Sequence, residues 1–484
     1  MVGRIEEIKI MQNLLESPKA EMLAVYGRRR VGKTYLIKNV YQNYIAFEFT
    51  GTQNAALQNQ LFKFSEKLKD YFAPLDGIVQ PKTWYEAFNQ LKICLSKSTK
   101  KQVVFFDELP WIDSARSNFL EELGYWWNDW ASNQNIVVVV CGSAASWMLK
   151  KLINHKGGLH NRVTQKINLK PFTLYETKLY LESLNVHWDN YQIIQFYMSV
   201  GGIPTYLQEA QQGETPTQTI DRAFFTKDGS LRYEFTNLYA ALFDNYQNHI
   251  FIIKILAEKW RGMTRQEIIV KSKLKDGGGL SKILDELEAS SFITQIPSFQ
   301  KKSKDFFYRL TDEYSLFYLK FIEGKAIMGK NIWLKQSTEE KYKIWSGYAF
   351  ENLCIKHAEA IKMSLGITGI YTETSSYLYI GKSRLNQEGS EESEGFQLDM
   401  LIDRADRAIN LCEIKFYNDD LTITDEFANQ LRQRREKFRS MTKTKKALFN
   451  TLITTYGVKQ SKNSSSQIDH VITMDKLFML SSFN

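Results

Sequence analysis

"YGRRRVGKTYLI", residues 26–37, places four residues between Gly27 and Gly32 and follows them with Lys33 and Thr34. That spacing is the phosphate-cradling loop G-x-x-x-x-G-K-[ST]. Upstream, "EMLAVYG" is a short apolar run that predicts a strand ending at Gly27. Downstream, "KTYLIKNVYQNY" sets Leu36, Ile37 and Val40 on one helical face. Strand, glycine loop and helix are what phosphate binding requires, because backbone N–H groups at a helix N-terminus hold anions. Gly27, Arg28, Arg29, Arg30, Val31, Gly32, Lys33, Thr34 and Tyr35 are therefore the expected nucleotide-binding residues. Lys33 is expected on the β- and γ-oxygens and Thr34 on Mg²⁺, with ATP as the nucleotide.

Two more strand ends support this reading. "KQVVFFDELPW", residues 101–111, is an apolar run ending in Asp107 and Glu108. Buried parallel strands read as continuous apolar runs, and ligands collect at their carboxyl ends. Asp107 is expected to bind Mg²⁺, directly or through water, and Glu108 to polarise the attacking water as general base. "NIVVVVCGS" delivers Ser143 to the same edge, to sense the γ-phosphate or orient that water. A helix N-cap is the other reading of Ser143. Trp126, Trp127 and Trp130 have helical spacing in "FLEELGYWWNDWASN" and are expected to pack a helix onto its sheet.

A chain of 484 residues suggests roughly three or four domains. Apolar content of 43% with 13% aromatics is ample for packed cores. The charged start "MVGRIEEIKI" is unlike a signal peptide. No run approaches the roughly eighteen apolar residues of a membrane span, so no membrane association is expected. Cys94, Cys141, Cys354 and Cys412 are scattered, without the C-x-x-C spacing of zinc or dithiol sites. Cys141 and Cys412 lie in apolar runs and read as small buried hydrophobes, and a cytoplasmic setting is expected. The net charge of +9 permits a polyanionic partner. Its densest basic cluster is "LRQRREKFRSMTKTKK", residues 431–446.

From Pro171 to about Tyr246 the pattern is helical and aromatic, which suits a lid over the nucleotide. The next seventy or so residues read as helix, turn, short helix, glycine-rich turn, helix and two strands, an order that resembles a winged helix. Thr264 and Ser281 are the expected N-caps of its second and third helices. In a DNA-reading version the third helix would enter the major groove. Here it carries Lys282, Asp285, Glu286 and Glu288, a net acidic face that phosphate repels. A packing or relay role is favoured, with the basic residues of "FQKKSKDFF" as the remaining backbone contact.

A second chemistry lies in "GFQLDMLIDRADRAINLCEIKFYND", residues 395–419. Two apolar strands joined by the turn "DRADR" place Asp399 on the first, and Glu413 and Lys415 on the second. Residues i and i+2 share a strand face, so Glu413 and Lys415 both point toward Asp399. Charge inside apolar strands is costly unless it has a purpose. One purpose is a divalent metal on Asp399 and Glu413, with Lys415 orienting or deprotonating the attacking water. A salt-bridged hairpin is the other reading. "RLNQEGSEESEGFQ", residues 384–397, is polar and glycine-rich and is expected to form a loop.

Taken together, "VGRIEEIKIMQNLL", "GRRRVGKT", "FFDELPW", "VVVVCGSAASWM", "NRVTQKINLKPFTLYE" and "GGIPTYL" resemble the archaeal-type ATPases of the AAA+/STAND group. These are prokaryotic proteins that often carry a C-terminal nuclease-like domain. The resemblance implies that Val2, Gly3 and Arg4 lie near the adenine, and that Arg162 contacts the γ-phosphate within or between subunits. "GGIPTYL" lacks the arginine that many AAA+ lids use as a second sensor, which leaves the lid's nucleotide contact and ring assembly open. The hairpin motif resembles the PD-(D/E)xK nucleases, with Leu398 where that family often has proline. This second resemblance implies Glu351, in "SGYAFENLCIKHAEAI", as a further metal carboxylate. It also implies that the helix "ITDEFANQLRQRREKF" faces the substrate with Gln430 and the basic cluster.

The expected fold is α/β: a P-loop AAA+-like parallel-sheet core (1–170), a helical lid (171–246), a winged-helix module (247–325) and a restriction-endonuclease-like α/β domain (326–484). The expected function is ATP binding and hydrolysis that controls a Mg²⁺-dependent DNA nuclease-like domain. Two alternatives stay open: a STAND-type switch, and a DNA-binding regulator in which the C-terminal domain only binds. DNA is the expected partner. A homo-oligomer and a protein partner at the winged-helix region also stay open.

Overall fold

The strand that leads into the phosphate loop, β1 (Glu21–Tyr26), lies inside a five-stranded parallel sheet. Its companions are β2 (Ile45–Thr50), β3 (Gln102–Asp107), β4 (Ile136–Gly142) and β5 (Gln165–Asn168), in the order β2-β3-β4-β1-β5. The computed structural model describes residues 1–72, 78–114, 117–153, 159, 161–299, 306–325, 331–379, 384–385, 391–392 and 395–480. Inserting β4 between β1 and β3 brings the carboxyl ends of all three to one edge, with Tyr26 beside Gly142 and Phe106 beside Val140. Every residue of β4 is buried, as a strand covered on both faces demands. Trp126 and Trp127, on the helix Phe119–Asp129, are buried against one face, where Trp126 stacks on Phe88 at 5.4 Å. Trp130 is half-buried beside Trp126, so this aromatic group packs a helix onto its sheet, as expected.

Helices Leu174–Ser183 and Asn190–Val200 follow, each started by a capping box, Thr173 with Glu176 and Asp189 with Gln192. Beyond the helix Tyr246–Ala257 come helices Arg265–Ser272 and Gly278–Ala289, then an antiparallel pair, β6 (Ile293–Pro297) and β7 (Phe306–Leu310). Thr264 caps the helix Arg265–Ser272 as expected, through a capping box with Glu267. Ser281 does not cap. The glycine run starts that helix three residues earlier, and Ser281 sits in its first turn, accepting from Arg265 Nη2 at 3.0 Å. The acidic side of this helix is spent on contacts within the chain. Asp285 pairs with Lys150 at 3.6 Å, and Glu286 meets His249 Nε2 at 2.9 Å. Lys301, Lys302 and Lys304 of "FQKKSKDFF" lie outside the described residues.

A second sheet closes the chain. Helix Glu340–Lys356 precedes β8 (Thr372–Tyr379), a short antiparallel pair β9 (Arg384–Leu385) and β10 (Glu391–Glu392), then β11 (Phe396–Arg404) and β12 (Ala408–Lys415). Helix Asp425–Thr442 crosses to β13 (Ala447–Thr454), and β14 (His470–Thr473) ends the sheet. The order is β14-β13-β12-β11-β8, antiparallel from β8 to β12 and parallel from β12 to β14. β12 is therefore central, and only its last residue is not buried. The stretch 384–397 is not wholly loop, since β9, β10 and the start of β11 fall within it; the rest of it, apart from Gly395, lies outside the described residues. Among the described residues, no helix is long and apolar enough to cross a membrane. All four cysteines are buried and free, including Cys141 and Cys412 in their strands.

Candidate functional site

The phosphate loop is shaped by its glycines. Gly27 has φ +142°, and a Cβ there would fall 2.3 Å from the Leu169 carbonyl oxygen, so no other residue fits. Lys33 opens the helix Lys33–Tyr41, and its ammonium donates to Gly27 O at 3.0 Å, Arg28 O at 2.9 Å and Ser143 Oγ at 3.0 Å. Thr34 Oγ1 donates to Asp107 Oδ2 at 2.8 Å. Ser143 Oγ in turn donates to Glu108 Oε1 at 2.9 Å, while its backbone N–H reaches Oε2 at 3.3 Å. Loop, β3 and β4 thus place one cation, two hydroxyls and two carboxylates at a single sheet edge. Glu108 holds its position on a left-handed backbone, φ 49° and ψ 52°.

Lys33, Thr34, Glu108 and Ser143 open onto a cavity of about 850 Å³ that loop residues 29–35 complete, while Asp107 is buried and does not line it. Its other wall is made of Met1, Val2, Arg4, Phe172 and Tyr180. The Arg4 guanidinium lies 4.4 Å from the Phe172 ring centre, and its backbone N–H donates to Glu176 at 3.0 Å. Burial holds the Arg4 pKa below its ordinary value, with Glu176 and Glu7 opposing. Gly3 does not line the cavity either, and three more expected residues stand differently. Gly27 contributes its carbonyl to Lys33 rather than lining the cavity, and the Arg28 side chain turns away into a buried ion pair with Asp312. Arg162 is exposed in the turn before β5 and does not line this cavity.

A second cavity, of about 650 Å³, gathers Asp399 from β11, Glu413 and Lys415 from β12, Glu351 from the helix Glu340–Lys356, and Gln430 from the helix Asp425–Thr442. Asp399 Oδ2 accepts from the Ile414 N–H at 2.9 Å. Glu413 is gripped on both oxygens, by Lys415 at 2.8 Å and by Arg434 at 2.5 Å. Glu351 accepts from Arg309 Nη2 at 3.3 Å. Burial, then the charges of Glu413 and Glu351, push Asp399 well above the ordinary carboxylate range. Burial also raises Glu351, against the pull of Arg309. Burial works to lower Lys415, but the Glu413 charge and hydrogen bond outweigh it and raise the ammonium's pKa. Among the described residues, no three His, Cys, Asp or Glu side chains converge as a ready metal-binding group. Protein cations hold Glu413 and Glu351 instead, and a backbone N–H holds Asp399.

A family model described as an ATPase domain predominantly from Archaea matches residues 1–210. Residues 1–210 are an archaeal-type P-loop ATPase domain. An uncharacterized protein of Methanocaldococcus jannaschii is 23% identical over 355 residues, covering 73% of this chain and 76% of its own. An uncharacterized ATP-binding protein of the same archaeon is 45% identical over 42 residues, 9% of this chain and 71% of its own. A Walker-type ATPase of Pyrococcus abyssi superposes with a TM-score of 0.50 at 16% identity, over 66% of this chain and 96% of that one. That likeness is one of fold.

In the ATPase domain the donor chemistry fits Mg²⁺: Thr34 Oγ1 and Asp107 Oδ2 already touch at the end of the phosphate loop. In the second cavity Asp399, Glu413 and Glu351 offer the donor type a hard divalent cation takes, but they do not form a ready site while Arg434 holds Glu413. Sequence reading missed three residues here: Arg261, which lines the second cavity, Arg309, and Asp312. It placed Arg434 in the basic cluster facing the substrate, one helical turn from Gln430, but not on Glu413. The partners of Arg28 and Glu351 are separated from them by 284 and 42 residues, and no local pattern announces them.

Proposed function

We propose that this chain binds and hydrolyses ATP in the phosphate cleft, and that nucleotide state controls metal-dependent cleavage of DNA in the carboxylate cleft. In the first cleft Lys33 and the loop N–H groups hold the phosphates. Glu108, fixed by Ser143, takes the proton of the attacking water. In the second, Asp399, Glu413 and Glu351 are the metal carboxylates. Lys415, its pKa raised by Glu413, stays protonated and orients the water and phosphate rather than acting as base. A bound divalent cation supplies phosphate charge neutralisation in the first cleft and an activated water in the second. The basic residues of the helix Asp425–Thr442 contact the DNA backbone.

One observation carries the nuclease reading: adjacent strands β11 and β12 and the helix Glu340–Lys356 deliver three carboxylates and a lysine to one cavity. The domain division 1–170, 171–246, 247–325 and 326–484 belongs to this proposal. So does a winged-helix module that packs rather than reads bases, in keeping with the Lys150–Asp285 and His249–Glu286 contacts. Arg162, exposed and outside its own cleft, is proposed to reach the γ-phosphate of a second copy. A binding-only C-terminal domain is the second reading, favoured by the double engagement of Glu413. Plasmid, linear and single-stranded DNA incubated with Mg²⁺ or Mn²⁺, with and without ATP, separates the two. Cleavage that Asp399→Asn abolishes supports the nuclease; DNA binding without cleavage under any metal moves the domain to the second reading.

A further inference from the structure

Between the two clefts runs a five-residue segment, Arg309 to Glu313, in which three charged side chains are almost wholly buried. Arg309, Asp312 and Glu313 are 2%, 1% and 4% exposed. Their counter-charges lie on two parts of the chain, the phosphate loop and the helix Glu340–Lys356. Arg309 holds Glu351 of the carboxylate cleft at 3.3 Å. Asp312 is paired with Arg28 of the phosphate loop. Glu313 takes Lys356 on both oxygens at 2.7 Å, and Lys356 shares a helix with Glu351. Asn352 of that helix also donates to the Leu310 carbonyl at 3.3 Å. Buried ion pairs resist separation because a lone charge left behind is strongly disfavoured. A shift of Asp312 is therefore shared with Arg309 and Glu313, and through them with the helix Glu340–Lys356.

The Arg28 end of this segment is built to respond to phosphate. The Arg28 carbonyl accepts from Lys33 Nζ at 2.9 Å, the same ammonium that a triphosphate recruits. Phosphate oxygens thus compete with the very peptide whose side chain grips Asp312. That grip is also incomplete. The Arg28 guanidinium lies 4.7 Å from the Phe292 ring centre, with Nε and Nη2 buried and lacking a hydrogen-bond partner among the described residues. Phe292 is itself tied to the segment, its carbonyl accepting from Thr311 at 3.0 Å and Asp312 at 3.1 Å. A half-satisfied buried network has a second arrangement within reach, as a fully bonded one does not.

We propose that Arg309–Glu313 is the link through which the phosphate loop sets the geometry of the carboxylate cleft, with Asp312 reading Arg28 and with Arg309 positioning Glu351. The proposal rests on the reading of both clefts as functional sites, but its test does not require cleavage. Hydrogen–deuterium exchange is followed with and without a non-hydrolysable ATP analogue at saturation. In the wild type, nucleotide changes exchange in residues 27–36 and, by roughly fivefold or more, in 340–356. In Asp312→Asn the 340–356 response disappears while 27–36 still responds. The double variant Arg28→Met with Asp312→Leu removes the pair without stranding a charge, and it gives the same loss if the single variant folds poorly. A 340–356 response that survives in either variant overturns the link, as does a wild type whose loop responds alone. A Mn²⁺ titration read against Asp399→Asn tests the metal reading separately. A link without metal upholds the proposal; a metal site without the link overturns it.

Discussion

Ser143 Oγ donates to Glu108 Oε1 across 2.9 Å, joining the carboxyl end of β4 to that of β3. The same hydroxyl accepts from Lys33, so its single proton is committed to Glu108 and its orientation is fixed. Glu108→Gln is expected to bind ATP as the wild type does while turnover falls by about 10²–10⁴, the usual worth of a general base. Ser143→Ala leaves the base present but poorly aimed, and a smaller fall, about tenfold, is expected. Nucleotide affinity by calorimetry and steady-state phosphate release separate binding from chemistry. Unchanged turnover in Glu108→Gln would show that another group positions the water.

Asp399 gives the carboxylate cleft a pH dependence of definite sign. Because burial and its two acidic neighbours raise its pKa well above the ordinary range, Asp399 retains its proton where a surface aspartate has lost it. A metal binds the carboxylate, so Mn²⁺ binding releases a proton and tightens as pH rises. Titrations at pH 6, 7 and 8, in buffers of different ionisation heat, read both quantities. Asp399→Asn is expected to lose the binding and, with it, any DNA cleavage, while ATP hydrolysis continues. Metal affinity that is flat with pH would remove Asp399 from the ligand set.

Arg434 plays two opposed parts. It donates to Glu413 at 2.5 Å and also lies in the basic cluster proposed to meet DNA. Arg434→Gln is expected to free a Glu413 oxygen and tighten Mn²⁺ binding several-fold. DNA binding weakens at the same time, and the salt slope of its logarithm falls by about one. Fluorescence anisotropy on one duplex at three salt concentrations measures the second effect. Metal binding and DNA binding moving in the same direction would refute the dual role.

His357 makes the fold sensitive to acid. Its ring is buried, Nδ1 bonding the Leu353 carbonyl at 2.8 Å and Nε2 accepting from the Leu174 N–H at 3.1 Å. Leu174 opens a helix, where such an N–H has no partner within the helix. Burial depresses the imidazole pKa to about 4 from 6.5. A depressed value means that the unfolded chain takes up the proton first. The stability is therefore present above pH 6.5 and lost as pH falls toward 4, up to roughly 3 kcal/mol. The Tm of the first thermal transition is expected to drop between pH 7 and 4.5, and His357→Gln, which keeps an acceptor for Leu174, flattens that slope.

Local pattern made the phosphate loop, β3, β4 and the β11–β12 hairpin legible, because the loop has a fixed spacing and each strand is a short apolar run with a candidate site residue in it or just beyond it. Thr264 was legible for the same reason, its partner Glu267 being three residues away. Ser281 was not: a glycine run reads as a break, yet Gly277 serves as the helix N-cap and Gly278 and Gly279 begin its first turn. The inward turn of Arg28 was also hidden. In a loop of three arginines the sequence offers no ground for choosing which one leaves the cleft, and the choice is made by Asp312 and Phe292, both far along the chain. Glu413 and Lys415 were visible as charges in an apolar strand, but the second cation on Glu413, Arg434, comes from the helix Asp425–Thr442.

Glu108 stands on a left-handed backbone, φ 49° and ψ 52°, that glycine or asparagine adopts more easily than glutamate. Holding a glutamate there costs on the order of 1 kcal/mol or more. If Glu108 is the base proposed above, selection for hydrolysis works against the local stability of the strand end. Where that selection lapses, substitution to glycine or asparagine loses the base and relaxes the chain in one step, while the phosphate loop still binds. Under the proposed role of Glu108, position 108 is thus a natural point of descent from ATP hydrolysis to a nucleotide-holding scaffold, and the identity of that one side chain would tell the two apart among descendants of this domain.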